Sequence, residues 1–326
     1  MPTPATRNVL LWHVHGSWTE AFVHGRHNYL LPVNAAKDSD GRGLCGRRWP
    51  RAREVEGERL AQEQIDLAVL QRPEELELLA SWSGRRPGVD FPAVYVEHNA
   101  PRPSPTESRH PVADRSDITL VHVTDFNCMM WDNGVAPTAV ITHGIKDPGD
   151  RYTGELPAAA AMINEPVRRN RVVGTDLLWR LSASVPIDVW GMGTRDLHRV
   201  GAGGDDLRVH GRGDVAPPAL FLEVARRRVY LHTARWTSLG ISLLEAMHLG
   251  MPVVAVASTM APLTVPSEAG VVSADVGTLG DALRHYIADR EAARAAGKSA
   301  RQIALKYFGL ERFLREWDEL IEEVCA

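Results

Sequence analysis

Short apolar runs recur along this chain, and longer amphipathic stretches separate them. In the first half the runs are Val9–Val14, Asp66–Leu70, Ala93–Val96, Ile118–Val123 and Ala139–Thr142. In the second half they are Ile187–Trp190, Leu207–Val209, Val229–His232 and Val253–Val256. Helix-like segments fall between them, among them Glu58–Gln64, Glu74–Ser83, Thr175–Ala183, Ala219–Arg227, Leu243–Leu249 and Leu279–Ala288. A strand that is apolar on both faces must be covered on both, and strands joined through helices pair in parallel. The pattern therefore predicts an α/β fold built on doubly wound parallel sheets.

The chain has 326 residues, which is long for one such domain. The alternation breaks at Pro148–Pro157 (PGDRYTGELP), where proline and glycine concentrate, and this reads as a linker. The expectation is two Rossmann-like domains facing a cleft, over 1–150 and 151–305. Beyond them, Leu310, Phe313, Leu314, Trp317, Leu320, Ile321 and Val324 follow helical spacing along one face, which needs a surface to cover. Ser39–Gly57 is the most loop-like region, with Arg42, Arg47, Arg48, Arg51 and Arg53 among glycines and Pro50.

Composition excludes several classes. Lys plus Arg is 37 against 41 for Asp plus Glu, so the net charge of -4 argues against a nucleic-acid partner. No run approaches the ~20 apolar residues of a membrane span, although peripheral association is compatible with a lipid acceptor. Three scattered cysteines make neither a disulfide framework nor a zinc site, and a reducing, cytoplasmic compartment is expected. His13, His15, His24 and His27 crowd the first strand without cysteine or carboxylate partners at ligand spacing, so no metal site is expected.

Arg235–Val254 (RWTSLGISLLEAMHLGMPVV) carries most of the chemical information. A strand leads into the small-residue turn Ser238–Ser242, and a helix opens there and ends at Gly250. Free amides and the positive end of a helix dipole suit a diphosphate. Glu245 is expected in the first helical turn, where its carboxylate could accept hydrogen bonds from two ribose hydroxyls or simply complement the dipole.

This stretch resembles the donor-site signature of glycosyltransferase family 4, retaining enzymes with the GT-B fold. Glu245 matches the second glutamate of that signature, which holds the ribose. The first glutamate position is Thr237, a departure that leaves one short hydroxyl for the donor sugar. Gly174-Thr175-Asp176-Leu177-Leu178 resembles the family's glycine-led helix start. Counting back from it puts Arg168 at the diphosphate arginine and Val173 at the family lysine, with Arg171 near enough to replace that charge. A solvated turn is the other reading of Arg168–Arg171.

Trp190-Gly191-Met192-Gly193 resembles the glycine-rich strand end beneath the nucleotide, and His210 falls at the backbone contacts to the base. Val94–Asn99 resembles the strand whose terminal histidine, here His98, reaches the donor sugar; a structural histidine is the alternative. Gly16 matches the glycine turn near the diphosphate and acceptor, and residues 306–326 the terminal helix that packs back on the first domain.

The resemblance implies a hexosyltransferase-type glycosyltransferase with His98 and Arg168 in catalysis. Gly16, Arg168, Arg171, Gly191, His210, Thr237, Gly240, Ile241, Ser242 and Glu245 would bind the donor. It implies no cofactor and no metal; the nucleotide-diphosphate sugar is a co-substrate, and the acceptor a small molecule or glycan. A non-catalytic nucleotide-sugar-binding protein and another sugar-nucleotide enzyme, such as an epimerase, are the alternatives.

Overall fold

The computed structural model describes residues 5–199 and 208–326. Contacts divide the chain into two units, Met1–Gly144 with Leu310–Ala326, and Ile145–Gly309.

In the first unit, β1 (Asn8–Leu11), β2 (Asn28–Val33), β3 (Ala52–Glu56), β4 (Leu67–Leu70), β5 (Ala93–Glu97), β6 (Thr119–His122) and β7 (Thr138–Val140) form one sheet. Its order is β3-β2-β1-β4-β5-β6-β7, and the pairs are parallel. Helices α1 (Gly16–Phe22), α2 (Glu74–Ser83) and α3 (Asp125–Met130) connect strands within it. β1, β4 and β5 are buried almost throughout, as their continuous apolar runs require.

In the second unit, β8 (Leu156–Met162), β9 (Ile187–Trp190), β10 (Val209–Gly213), β11 (Arg227–His232), β12 (Val253–Val256) and β13 (Gly270–Ser273) form a parallel sheet in the order β10-β9-β8-β11-β12-β13. Its helices are α4 (Pro166–Val173), α5 (Thr175–Ser182), α6 (Pro217–Ala225), α7 (Ile241–His248), α8 (Ala261–Thr264), α9 (Val276–Ala288) and α10 (Arg290–Tyr307). One core cluster gathers around Leu243, Leu244 and Met247 of α7, and another around Leu178, Leu181 and Leu283.

Helix α11 (Leu310–Val324) belongs to the first unit. Its buried residues are Phe313, Trp317, Leu320 and Ile321, one stripe at helical spacing. Trp317 meets Phe22 and Trp18 of α1 at ring-centroid distances of 4.9 and 5.8 Å, in edge-to-face arrangements. Asp318 takes Arg26 at 2.9 Å and His27 at 3.1 Å.

Four strands depart from the sequence expectation. β2 contains Pro32, a residue that argues against an inner strand. β3 lies inside the region read as loop; it is a polar strand at the sheet edge, paired with β2. β8 begins at Leu156, within the Pro148–Pro157 stretch, and its alanines read as helix formers until neighbours on both sides bury them. β13 is four residues long and starts on glycine. Of the expected strand Leu207–Val209, Leu207 lies outside the described residues, and β10 runs on to Gly213.

Candidate active site

The second sheet reverses its winding between β8 and β11, which are neighbours. In open parallel sheets the carboxyl ends of two such strands flank the natural ligand position, because their connections leave in opposite directions. α4 follows β8 there, and α7 follows β11.

The two connections are stitched together. The amides of Arg235 and Trp236 donate to the carbonyl of Val172 at 2.9 and 3.1 Å. The Thr233 hydroxyl donates to the carbonyl of Val173 at 2.7 Å. Arg235 grips Asp176 in α5 with two nitrogens, at 2.5 and 2.7 Å. That guanidinium holds the Asp176 carboxyl below the usual carboxylate range. Gly174 joins α4 to α5 at φ 75°, and a Cβ there would stand 2.0 Å from the Thr233 carbonyl oxygen, so only glycine fits.

Helix α7 opens on Gly240, which has no side chain to cap it. A Cβ on Gly240 would approach the His232 ring to 2.7 Å. The amides of Ile241 and Ser242 take no partner among the described residues, as expected of the first orphan donors of a helix. The Tyr230 hydroxyl donates to Ser242 Oγ at 3.0 Å. Burial pushes the His232 imidazole down to about 4, so it is neutral at pH 7. Thr237 is half-buried in the loop leading to the helix.

Two expectations need correction. Glu245 lies in the second turn of α7, not the first, because the helix starts at Ile241. A dipole role at the N-terminus therefore loses its footing, since that effect fades within the first turn. The Arg168–Arg171 run is helical, not a turn, although α4 kinks at Asn170 (φ 32°). Arg168 is exposed and pairs with Glu165, its Nε at 2.5 Å, while Arg171 is exposed and lies 3.3 Å from Asp176. Val173, at the family's lysine position, is buried.

Gly191 follows β9, and its amide donates to the Gly213 carbonyl at 3.0 Å. Its neighbour Met192 donates from its amide to Asn164 Oδ1 at 3.0 Å, tying this strand end to that of β8. His210 lies on β10 and contacts buried Asp188 at 3.2 Å through Nδ1.

Gly16 and His98 belong to the first unit, at the carboxyl end of its sheet. Gly16 opens α1 after β1, and His98 follows β5. The His98 ring lies 4.0 Å from that of His15, the residue before Gly16, tilted by 38°, and meets Trp18 edge-on at 5.2 Å. His143 lies 6.0 Å from His98 on a nearly parallel plane. Burial lowers all three imidazoles, His15 to about 4 and His143 to about 3. The other histidines of the first strand disperse. His13 faces Trp49 at 5.2 Å, His24 bonds the Glu20 carbonyl, and His27 bonds Asp318.

Arg235 and Gln71 carry clear geometric roles that sequence reading left unassigned. Arg235 opened the informative stretch, but its partner Asp176 lies 59 residues earlier. Gln71 ends the apolar run of β4 and gave no signal beyond that place.

Residues 203–303 match the family described as glycosyl transferases group 1. Among solved structures, the chain resembles a sucrose-phosphate synthase from Thermosynechococcus elongatus at 15% identity and TM-score 0.73, covering 98% of this chain and 99% of that one. It also resembles Anabaena HepE in complex with UDP and glucose, at 17% identity and TM-score 0.71, covering 97% and 99%. A glycosyltransferase from Rickettsia africae follows at 12% identity and TM-score 0.67, covering 98% of each chain. At these identities the likeness is one of fold. No curated protein matches the chain by sequence. The family match thus falls within the second unit, and the chain has the GT-B fold of two parallel-sheet units.

Proposed function

We propose that this glycosyltransferase uses a nucleotide-diphosphate sugar and transfers the sugar with retention to a small-molecule or glycan acceptor, in the manner of family 4. The observation that carries the reading is the meeting of the α4–α5 junction and the amide-bearing start of α7 at the winding reversal of the second sheet. Fixed dipoles and guanidinium groups at one point suit a departing diphosphate, and charge stabilisation of that leaving group is the main catalytic contribution.

In this reading the amides of Ile241 and Ser242 receive the diphosphate after the turn at Gly240. Arg168 and Arg171 swing from exposed pairs onto phosphate oxygens, which a guanidinium binds bidentately. Glu245 takes the ribose hydroxyls, Gly191 lies beneath the nucleotide, and the backbone at His210 meets the base. His98 and Gly16 serve the sugar and acceptor, and the leaving phosphate helps to take the acceptor proton. The positive groups do the work of a divalent ion, so no metal is required. Since HepE is described in complex with UDP and with UDP-glucose, uridine is the first base to test.

Thr237 and buried Val173 favour one second reading, a protein that binds nucleotide sugar without turning it over. Calorimetric titration with UDP, followed by release of UDP from a panel of UDP-sugars, separates the two. Binding with turnover that survives EDTA supports transfer without metal. Binding without any turnover selects the second reading, and no affinity for any nucleoside diphosphate sinks both.

A further inference from the structure

Gln71 stands immediately after β4, between the ends of β1 and β5, and is buried. Its side-chain nitrogen donates to the backbone carbonyl of Trp12 at 2.8 Å. A carbonyl oxygen only accepts, so this contact fixes which end of the amide is nitrogen. The amide oxygen is therefore the atom that faces His98, with Oε1 3.0 Å from Nε2. An amide oxygen also only accepts, so Nε2 must carry the hydrogen. Burial holds the His98 imidazole well below its usual range, so the ring is neutral and has one hydrogen to place.

Turning the amide over would set its oxygen against the Trp12 carbonyl oxygen, and the backbone beside it is anchored as well. The Gln71 backbone N–H donates to Oε2 of buried Glu75 at 2.7 Å, and Glu75 Oε1 accepts from Arg72 Nε at 2.8 Å. His15, Trp18 and His143 surround the imidazole. His98 is half-buried, and its Nδ1 takes no hydrogen bond among the described residues.

We propose that Gln71 is a positioning residue that locks His98 in the Nε2–H tautomer and so presents the bare Nδ1 lone pair as a hydrogen-bond acceptor for a substrate hydroxyl. A histidine in the other tautomer would present a donor there and would meet a hydroxyl with the opposite polarity. The hydroxyl rests on the glycosyl-transfer reading; the tautomer does not.

Nitrogen-15 NMR of histidine-labelled protein at pH 7.5 tests it. The molecule supplies its own control in His110. The Val112 amide donates to His110 Nδ1 at 3.2 Å, and His110 Nε2 lies 3.0 Å from Glu97, so it too must hold its hydrogen on Nε2. Wild type should show a protonated Nε2 and a pyridine-type Nδ1 at His98. Gln71→Met, similar in length but without an acceptor, should move His98 toward the Nδ1–H form while His110 stays unchanged. Gln71→Glu, which restores an acceptor, should return the Nε2–H form.

A wild-type His98 protonated on Nδ1 overturns the proposal. So does a Gln71→Met spectrum identical to wild type with His110 intact. If Gln71→Met does not fold, as loss of the His110 pattern would reveal, the wild-type spectrum and Gln71→Glu decide. Saturating UDP-glucose should then shift the wild-type Nδ1 signal where UDP does not. A fixed tautomer whose Nδ1 ignores UDP-glucose overturns the hydroxyl half alone and counts against His98 as a donor-sugar residue.

Discussion

At the scale of single residues, Glu245 has the clearest test. Its place in the second turn of α7 removes the dipole as a reason for a carboxylate there. Charge-assisted hydrogen bonds to ribose contribute on the order of 1.5–3 kcal/mol each. Glu245→Ala should therefore weaken UDP at least tenfold by calorimetry, with the far-ultraviolet spectrum unchanged. Equal affinity would return the residue to a structural role. Arg168→Ala and Arg171→Ala should weaken UDP far more than uridine, because only UDP has phosphates; equal losses would mean the arginines act through α4 itself. Thr237 offers one hydroxyl where the family signature has a carboxylate, so UDP should bind about as tightly as UDP-glucose in competition. A hundredfold preference for the sugar, about 2.7 kcal/mol, would show that Thr237 is no handicap. The glycine turn into α7 was legible because strand, glycine and helix are consecutive. The Arg235–Asp176 grip was not, because the pairing joins residues far apart in sequence and no local pattern encodes it.

At the scale of elements, the two glycines of the second unit should respond differently to one added methyl. Gly174 combines a left-handed backbone with a Cβ position 2.0 Å from a carbonyl oxygen. Gly174→Ala should cost well over 1 kcal/mol, seen as a lowered urea midpoint, because neither the backbone nor the Thr233 carbonyl can yield cheaply. Gly240 has an ordinary φ of -68°, and only the His232 ring stands in the way. Gly240→Ala should shift the midpoint less than Gly174→Ala does. A reversed order would mean that the α4–α5 junction relaxes more readily than its contacts suggest. The same contrast explains what could be read in advance. Glu74–Ser83 emerged as α2 at the expected residues, and the terminal stripe as α11, since their periodicity is internal to each segment. β2, β3, β8 and β13 did not, because a proline, a charged edge, an alanine run and a short glycine-led segment become strands only through their neighbours.

At the scale of the whole molecule, buried histidines set how the protein meets acid, and they are unevenly divided. The first unit holds His15, His98, His122 and His143, all lowered by burial, with His122 at about 4. His13 and His27 are lowered as well. The second unit holds His232 and His248 in that condition. Each binds a proton less readily folded than unfolded, where its value is about 6.5. Between the folded value and 6.5 the unfolded chain therefore carries more protons, and stability falls as pH falls. For fully buried His122 the loss by pH 5 is on the order of 2 kcal/mol. Glu75 works the other way: burial raises it to about 7, so between about 4.5 and 7 acid favours its folded form. One carboxyl does not offset four deeply lowered histidines. The first unit should accordingly lose stability first between pH 6.5 and 5, above the usual carboxylate range. Hydrogen exchange followed by peptide mapping across that interval should show protection lost in β1, β5 and β6 before β11 and β12. Glu75→Gln, which no longer takes up that proton, should steepen the loss in the first unit alone. Uniform loss across both units, or protection that rises toward pH 5, would mean that these imidazoles reach solvent or partners on protonation and that their burial does not govern the acid response.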